Sequence, residues 1–563
     1  MKRRSKRVKV QREKPLTNSP VLPIQPPCHI SSLPVEILAT ILEILVEDRI
    51  YFVSWKNGIE SRESILKDQL DAALDFRRAS EVCRFWRQTA FTCKRAWGTI
   101  LHVDFSGSQW VEELLRRSHP APLIVHSVYY AGDPHDRFRS QKWTMILEQS
   151  YRFKELKILC SRNDDMDPVM QVLENPAPLL EGLYIEAELK PIRGYEDDYS
   201  DYEEDDDDGH YYHVGGNDAL FRNAPNLQSL TLQRLGCPET VKISPCRLRS
   251  LDVALDENMP FHVPISNWLD LLADLPLLEV FSFFSHMLPL DSSERPSNRE
   301  VDVRRLRSFH LHCHISDCSL LLENLLISPT CHVHLHVHPT APSADMTGFL
   351  RGVNKFIRTW VFRPEEHVFW KIETRDLESF SFEIHADPTL PDSRAARPSL
   401  MLCLDYDIRS DLDINDETTY LPSILDNFRK LPLVKHNTWL SLDLEGPNHG
   451  ELERHFLPFF KSFKAVKKLI VAARSHPEFD VFSSLLMAPY AGIDTLMFPD
   501  LNTVIYKSEC GRGHGPDTTK FQMYASWREA VGKPVPQVES WCWEDIPLSL
   551  RDSFEIDCWT GEV

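Results

Sequence analysis

Long hydrophobic runs are absent from this chain. No stretch of about 18 uninterrupted apolar residues occurs, so no membrane span is expected. The richest apolar run, LLADLPLLEVFSFF at 271–284, contains Asp274 and Glu279 and is typical of a protein interior. No hydrophobic segment follows the basic N-terminus, so no secretory signal is predicted.

Excess positive charge and paired cysteines are also lacking. The formal net charge is −20, which argues against nucleic acid as the main partner because phosphate binding requires a positive surface. The 13 cysteines include no CxxC pair and follow no regular spacing. An odd, irregular set in a large chain without a secretory signal indicates reduced thiols, so we expect a cytoplasmic or nuclear protein that contacts neither membrane nor nucleic acid.

The common catalytic motifs are missing as well. The sequence contains no GxGxxG, GxxxxGK[ST], HExxH or GxSxG pattern. We therefore expect a chain without catalytic residues, cofactor or metal.

Two segments have strongly biased composition. Residues 1–14 carry eight Lys or Arg and residues 15–27 contain five prolines, so 1–27 is predicted to be a disordered basic and proline-rich tail, with a nuclear-import signal as the alternative. Residues 195–208 hold ten carboxylates. The ligand spacing of a calcium loop is missing there, so we predict a disordered acidic insertion at about 190–217.

Apolar residues recur at helical spacing in two stretches near the N-terminus. SSLPVEILATILEIL at 31–45 places Pro34 at the first helical position and Glu36 in the first turn. RASEVCRFWRQTA at 78–90 predicts a second amphipathic helix. The free thiol on its apolar stripe is expected to be a buried small hydrophobe.

These stretches carry a resemblance. LPVEILATILEIL followed by ASEVCRFWRQTAF and then RAW resembles the F-box, the small helical module of ubiquitin-ligase substrate receptors, in a form similar to the large F-box protein sets of basidiomycete fungi. The module would cover 28–99, with an insert at 47–75 and Trp97 as its closing tryptophan.

The resemblance implies a docking site for a Skp-type adaptor. Val82, Cys83 and Trp86 would pack against Ile37, Leu38 and Ile41, and an apolar edge led by Leu33 and Pro34 would bind the adaptor. The adaptor-binding set is Leu33, Pro34, Ile37, Leu38, Ile41, Leu42, Val82, Cys83 and Trp86.

The rest of the chain repeats one pattern, φ-x-x-φ-x-φ, in which φ is apolar. It starts at 153, 180, 227, 248, 278, 306, 377, 439, 466 and 493, and ILHVDF at 100–105 is a further candidate. Several steps equal 27 residues, within the roughly 20–29 of leucine-rich repeats. Each unit would be a parallel strand, a turn and a helix such as 265–276 or 316–328. An irregular α/β domain without true repeats is the alternative.

The predicted fold is therefore mixed α+β and α/β: a small helical F-box, a degenerate leucine-rich-repeat-like α/β solenoid over 100–499, and a capping segment at 500–563. In such a solenoid the residue between the last two apolar positions of each strand faces solvent on the concave side. These residues are Lys157, Tyr184, Thr231, Asp252, Ser282, His310, Ser381, Asp443 and Ile470.

Histidines alternate with apolar residues in FHLHCHI at 309–315 and CHVHLHVH at 331–338. Each set is expected to share one strand face, and the two sets form one patch if the strands are neighbours. Imidazoles suit zinc or copper, but a flat row does not give tetrahedral geometry, so a solvated strand face is the favoured interpretation, with a ligand-contact surface as the alternative.

By resemblance, the chain is expected to be the substrate receptor of an SCF-type cullin–RING ubiquitin ligase. It would bind an unidentified substrate protein on the central concave face, around Ser282, His310 and His312, or else through the C-terminal segment with Trp541, Trp543 and Trp559. The alternative is a non-catalytic leucine-rich-repeat scaffold with a vestigial F-box.

Overall fold

A computed structural model describes residues 33–56, 62–103, 106–127, 140–160, 169, 173, 175–187, 223–233, 247–255, 264–285, 300–338, 344–360, 368–375, 379–386, 399–405, 420–431, 433–434, 437–444, 456–472, 497–508 and 519–542. The predicted basic tail, the acidic insertion and the tryptophans Trp543 and Trp559 lie outside these residues.

The described helices are α1 (Val35–Lys56), α2 (Arg62–Glu81), α3 (Arg84–Thr92), α4 (Lys94–Thr99), α5 (Ser108–Ser118), α6 (Gln141–Leu147), α7 (Ile265–Ala273), α8 (Ile315–Asn324), α9 (Ala344–Arg358), α10 (Tyr420–Phe428), α11 (Leu457–Phe460) and α12 (Thr519–Ala530). Among the described residues, no helix has the length and hydropathy that crossing a bilayer requires.

The described strands are β1 (Leu101–His102), β2 (Leu123–Ser127), β3 (Phe153–Cys160), β4 (Gly182–Ala187), β5 (Ser229–Gln233), β6 (Ser250–Ala254), β7 (Val280–Phe284), β8 (Val301–Val303), β9 (Ser308–His314), β10 (Leu325–Ile327), β11 (His332–His338), β12 (Val368–Arg375), β13 (Ser379–Ala386), β14 (Ser399–Asp405), β15 (Asn437–Leu444), β16 (Lys468–Ala472), β17 (Thr503–Ser508) and β18 (Gln537–Cys542). The chain divides into two compact units at Ile100, close to the predicted boundary.

Sixteen of these strands form one open, mostly parallel sheet. Its order is β1-β2-β3-β4-β5-β6-β7-β9-β11-β14-β13-β12-β15-β16-β17-β18, and β8 pairs with β10 in a separate small parallel sheet. From β1 to β11, each strand of the large sheet therefore pairs with the next one that the chain supplies to it. The sheet runs on to Cys542, and the segment predicted as a cap contributes its last two strands, β17 and β18.

The order of strands across the large sheet runs opposite to the chain order at one place, where β14, β13 and β12 follow β11. Strand β11 pairs with β14 in parallel, but β13 is antiparallel to both β14 and β12, before parallel pairing resumes at β15. The repeated pattern predicts strand at 377–382, which β13 confirms in its described part, but an apolar pattern contains no information about strand direction. The expected uninterrupted parallel succession is therefore wrong for this stretch.

Only Met497 and Phe498 of the pattern at 493–498 are described, and neither belongs to a strand. Met497 and Phe498 are buried but lie in a bend, and the next strand begins at Thr503. The buried guanidinium of Arg528 donates to the carbonyl oxygens of Phe498, Pro499 and Leu501 at 2.9, 3.2 and 3.1 Å. These carbonyls are thus satisfied in a turn instead of a strand ladder.

The core of the large sheet consists of the apolar positions of the repeated pattern, aligned by the strand register. Leu183, Leu230, Leu251 and Phe281 lie opposite one another on successive strands and are all buried. The Phe281 ring stacks on Phe309 of the next strand at 5.8 Å between centroids. Each strand therefore completes the core of its neighbour.

The N-terminal unit has its own small core. Leu38, Leu42 and Val46 of α1 are buried, as are Phe76 of α2 and Trp97 of α4. The rings of Phe76 and Trp97 meet edge to face at 5.0 Å, and Trp97 Nε1 donates to the carbonyl of Ala90 at 2.8 Å. The described parts of the predicted insert at 47–75 continue α1 and α2 as helix.

The apolar spacing predicts a single helix over 78–90, but this prediction is wrong because two helices share the stretch. Helix α2 ends at Glu81, and Cys83 has an extended backbone and caps α3, with its sulfur accepting from the Trp86 amide at 3.5 Å. Because the helix is interrupted at this point, residues spaced by three and four on either side of the break no longer lie on one helix face. In consequence Cys83 is exposed instead of buried. Among the described residues of this unit, Cys93 is the buried thiol, with its pKa raised to about 11 by burial and by the charge of Glu43.

Helices α8 and α9 pack closely because α9 presents two glycines to α8. A Cβ on Gly352 would lie 2.6 Å from Leu322 Cβ, and one on Gly348 would lie 2.5 Å from Ser319 Oγ. Arg351 adds an ion pair with Glu323 at 2.9 Å.

We expect Gly352→Ala to lower the free energy of unfolding by about 1 kcal/mol, the difference between an overpacking cost and a gain in helix propensity. Overpacking costs about 1–3 kcal/mol, whereas alanine gains roughly 1 kcal/mol over glycine in a helix. Gly348→Ala should cost less, because the Ser319 hydroxyl can rotate away while Leu322 Cβ is fixed to the backbone. Chemical denaturation of both variants checks this, and equal or greater stability of the Gly352 variant would contradict it.

Candidate functional site

Helix α1 has two apolar faces. Leu38, Leu42 and Val46 form the buried face. Ile37, Ile41 and Ile44 follow at spacings of four and three and are 50%, 44% and 48% exposed. We call these three isoleucines the exposed α1 stripe. Residues so spaced lie along one side of a helix, so the stripe is a continuous apolar surface beside the buried face.

The predicted adaptor-binding residues divide by burial. Leu38 and Leu42 are core residues, so their assignment to a docking surface is wrong. Pro34, Ile37, Ile41, Val82 and Cys83 are exposed, and Leu33 and Trp86 are half-buried.

The predicted packing of Val82 and Cys83 on α1 is also wrong, whereas Trp86 is half-buried. Val82 is 62% exposed and Cys83 is exposed, because both lie at the break between α2 and α3. Sequence reasoning missed Ile44 and Phe91, which are exposed at 48% and 50%. The seven-residue spacing from Ile37 to Ile44 indicates that Ile44 shares the side of α1 on which Ile37 lies. No pattern in the sequence indicates that Phe91 is exposed.

On the large sheet, the residues predicted to line one face are aligned by the parallel register. Lys157, Tyr184, Thr231, Asp252, Ser282 and His310 lie opposite one another on six successive strands. We call the whole side of the large sheet that carries this row the polar face.

The polar face is not solvated throughout, contrary to expectation. His310 is exposed, whereas Lys157, Tyr184, Thr231, Asp252 and Ser282 are half-buried and Ser381 is buried. The side chain of Asp443 lies outside the described residues.

Ile470 was predicted to face solvent and is instead 2% exposed. It lies opposite Ile505 in the register, and Trp439 packs against the pair. An apolar cluster therefore occupies this end of the same side of the sheet.

Charged groups of the polar face are paired within it. His126 Nε2 lies 3.0 Å from Glu155 Oε1, and the Lys157 ammonium lies 4.4 Å from the centre of the Tyr184 ring. Burial opposes ionisation of Glu155, but the hydrogen bond and charge of His126 outweigh it and hold the pKa of Glu155 below its usual value.

Asp252 behaves in the opposite way. Burial raises its pKa, although hydrogen bonds from Ser282 and Gln233 favour the charged form, and the negative charge of Glu186 adds to the increase. The polar face thus holds a carboxylate whose ionised form is disfavoured.

The two histidine-rich strands are neighbours, as the patch interpretation requires. His310 lies opposite His334, and His312 opposite His336. His310 Nε2 is hydrogen-bonded to Ser308 Oγ at 2.8 Å.

Three imidazoles of this patch converge. The ring of His312 stacks on those of His336 and His338 at centroid distances of 3.9 and 4.7 Å. One ring nitrogen of each of the three lies within 4.8 Å of the others. The expectation that a histidine row stays flat is therefore wrong for these three, which we call the histidine triad.

No protein-family model matches the chain, and no curated protein matches it.

We expect Asp252→Asn to raise the free energy of unfolding at pH 7 by on the order of 1 kcal/mol, because the amide removes a disfavoured buried charge. Since the folded pKa is raised above the unfolded value, the ionised carboxylate costs stability at high pH and the cost vanishes as the pH falls through the folded pKa. The gain should therefore shrink toward pH 4, as measured by urea denaturation across pH.

Asp302→Asn is the matched control. Arg304 lowers the pKa of this exposed carboxyl to about 2, so its amide variant should bring no gain at pH 7. An equal gain in both variants, or a gain at Asp252 that is independent of pH, would contradict the assignment.

Proposed function

We propose that the chain is a substrate-receptor subunit of an SCF-type cullin–RING ubiquitin ligase. In this role the N-terminal unit is an F-box that docks a Skp-type adaptor, and the large sheet is a leucine-rich-repeat-like region that binds the substrate protein. The exposed α1 stripe is the observation that carries the proposal.

The stripe supports docking because it has no role in the unit's own core. Leu38, Leu42 and Val46 already supply the buried face of α1, yet Ile37, Ile41 and Ile44 are about half exposed. Fully burying an exposed aliphatic side chain is worth about 1.5–3 kcal/mol, and roughly half of that remains to be gained by each of these three isoleucines, so the stripe favours association.

The position of the stripe agrees with the resemblance. It follows Leu33 and Pro34, the pair with which the F-box-like pattern begins, and exposed Val82 and Phe91 add apolar surface to the same unit. The closing tryptophan of the pattern, Trp97, is buried in the unit's core.

The large sheet supports the repeat assignment. Strands β3 to β7 follow in order, pair in parallel and keep the same residue row on each face. In a leucine-rich-repeat array, each repeat contributes a strand that completes the core of the previous repeat.

The substrate surface belongs, in this proposal, to the polar face around Ser282, His310 and His312. Extended rows of aligned side chains are what repeat proteins use for binding. The receptor itself would have no catalytic residues and would act by raising the effective concentration of substrate lysines near the conjugating enzyme.

The double substitution Ile37→Glu with Ile41→Glu should abolish adaptor binding. Both side chains are about half exposed, so the helical unit should keep its fold, while truncating a buried interface anchor typically costs about 2 kcal/mol or more. Titration of the full-length protein with a purified Skp-type adaptor of its own organism measures this directly.

Leu74→Glu provides the matched control, since Leu74 of α2 is 44% exposed and lies outside the exposed α1 stripe. It should bind the adaptor as the wild type does. If the wild-type protein does not bind the adaptor, or the double variant binds equally well, the F-box assignment fails and an adaptor-independent interaction scaffold is favoured.

A second measurement tests the substrate surface. His310→Glu places a negative charge on an exposed part of the polar face and should remove substrates from those recovered by proximity labelling, with adaptor binding unchanged. Met523→Glu on α12, where Met523 is 55% exposed, is the comparison for the C-terminal segment. Loss of substrates only with Met523→Glu would place recognition there.

A further inference from the structure

The histidine triad has the composition of a metal site. Its members, His312, His336 and His338, each offer a ring nitrogen, and these nitrogens lie within 4.8 Å of one another on half-buried side chains. Oxygen donors are not part of the group. Three neutral imidazoles suit zinc, copper or nickel and do not suit magnesium or calcium, which require oxygen ligands.

The strand register produces the convergence. His312 and His336 are direct partners across β9 and β11, so their rings stand side by side. His338 lies one pleat further along the same face, and its Nε2 approaches His312 Nε2 to 2.5 Å.

His314, the register partner of His338, does not join the group. It is buried and caps α8, where its Nδ1 accepts from the Ser316 amide at 3.4 Å and pairs with the Ser316 hydroxyl at 2.7 Å. Because the chain turns into α8 directly after His314, the His314 ring is held at the helix start and does not join the histidine triad.

The spacing of the three nitrogens is close to what a tetrahedral cation needs. Zinc–nitrogen bonds of about 2.0–2.1 Å place two ligands of a tetrahedral site roughly 3.3 Å apart. The nitrogens of His312 and His338 must separate by less than 1 Å, and the widest pair must close by roughly 1.5 Å. Rotation about the soft χ2 torsion of histidine allows both adjustments without backbone movement.

We propose that His312, His336 and His338 bind a divalent first-row transition-metal cation of the zinc class. Three protein ligands leave a fourth position for water or an incoming donor, as in open zinc sites. Cys403 lies opposite His336 in the register, and its thiol is 3.8 Å from His334 Nε2, so a thiol and a fourth imidazole border the site. Phe284 closes another side, with its ring 3.9 Å from that of His312.

The experiment is a Zn²⁺ titration of the full-length protein against a chromophoric chelator, comparing the wild type with His336→Ala. The chain's 13 cysteines and other histidines contribute background binding that both proteins share, so the difference isolates the triad. We expect one Zn²⁺ equivalent to weaken at least tenfold in the variant.

His332→Ala is the matched control, because His332 lies on the same strand but is exposed and hydrogen-bonded through Nδ1 to Ser399 Oγ at 2.7 Å. It should bind Zn²⁺ as the wild type does, and Zn²⁺ should raise the thermal unfolding midpoint of the wild type and the control but not of His336→Ala. His336→Asn keeps a polar side chain of similar size and should repeat the loss if the alanine variant folds poorly. Equal Zn²⁺ binding by all variants, or equal loss in His332→Ala, would overturn the proposal.

Discussion

The parallel register between neighbouring strands is the constraint on which the large sheet depends. Each strand alone has one apolar row, and that row is buried only when the next strand places its own apolar residues beside it. Leu230, Leu251 and Phe281 are all buried through this alignment. A shift of one residue would turn every such side chain to the other face, so the register is fixed by the core.

The same register decides what happens on the polar face. The register that aligns the buried apolar residues also aligns the polar residues that alternate with them on the other face. As a result Asp252 lies beside Ser282, and His310 lies beside His334. The raised pKa of Asp252 and the convergence of the histidine triad both follow from residues brought together by the core on the opposite face. The arrangement of side chains on the polar face is thus a consequence of the packing.

The N-terminal unit obeys a different constraint. Its helices are short of apolar partners, and α1 has more apolar surface than α2, α3 and α4 cover. Leu38 and Leu42 are buried while Ile37 and Ile41 stay exposed, although all four are aliphatic and each leucine directly follows one of the isoleucines. A helix with one apolar face in a core and a second apolar face in water is suited to binding a partner. The docking proposal therefore depends on this helix.

The helices expected at 265–276 and 316–328 form over the shorter spans Ile265–Ala273 and Ile315–Asn324, and residues 325–327 form strand β10 instead. The sequence alone determined the positions of strands β3 to β7, β9, β15 and β16, but not those of β2, β12 and β14, and it determined the alignment of Lys157, Tyr184 and Thr231 on one face. These follow from local periodicity, since apolar spacing reports which residues face inward. The tertiary structure alone decided the reversed order of β12, β13 and β14, the helix break at Cys83, the burial of Ile470 and the convergence of His338 on His312. The physical reason is that direction, burial and side-chain contact depend on residues distant in the chain, and a periodic pattern specifies a face without specifying what lies against it.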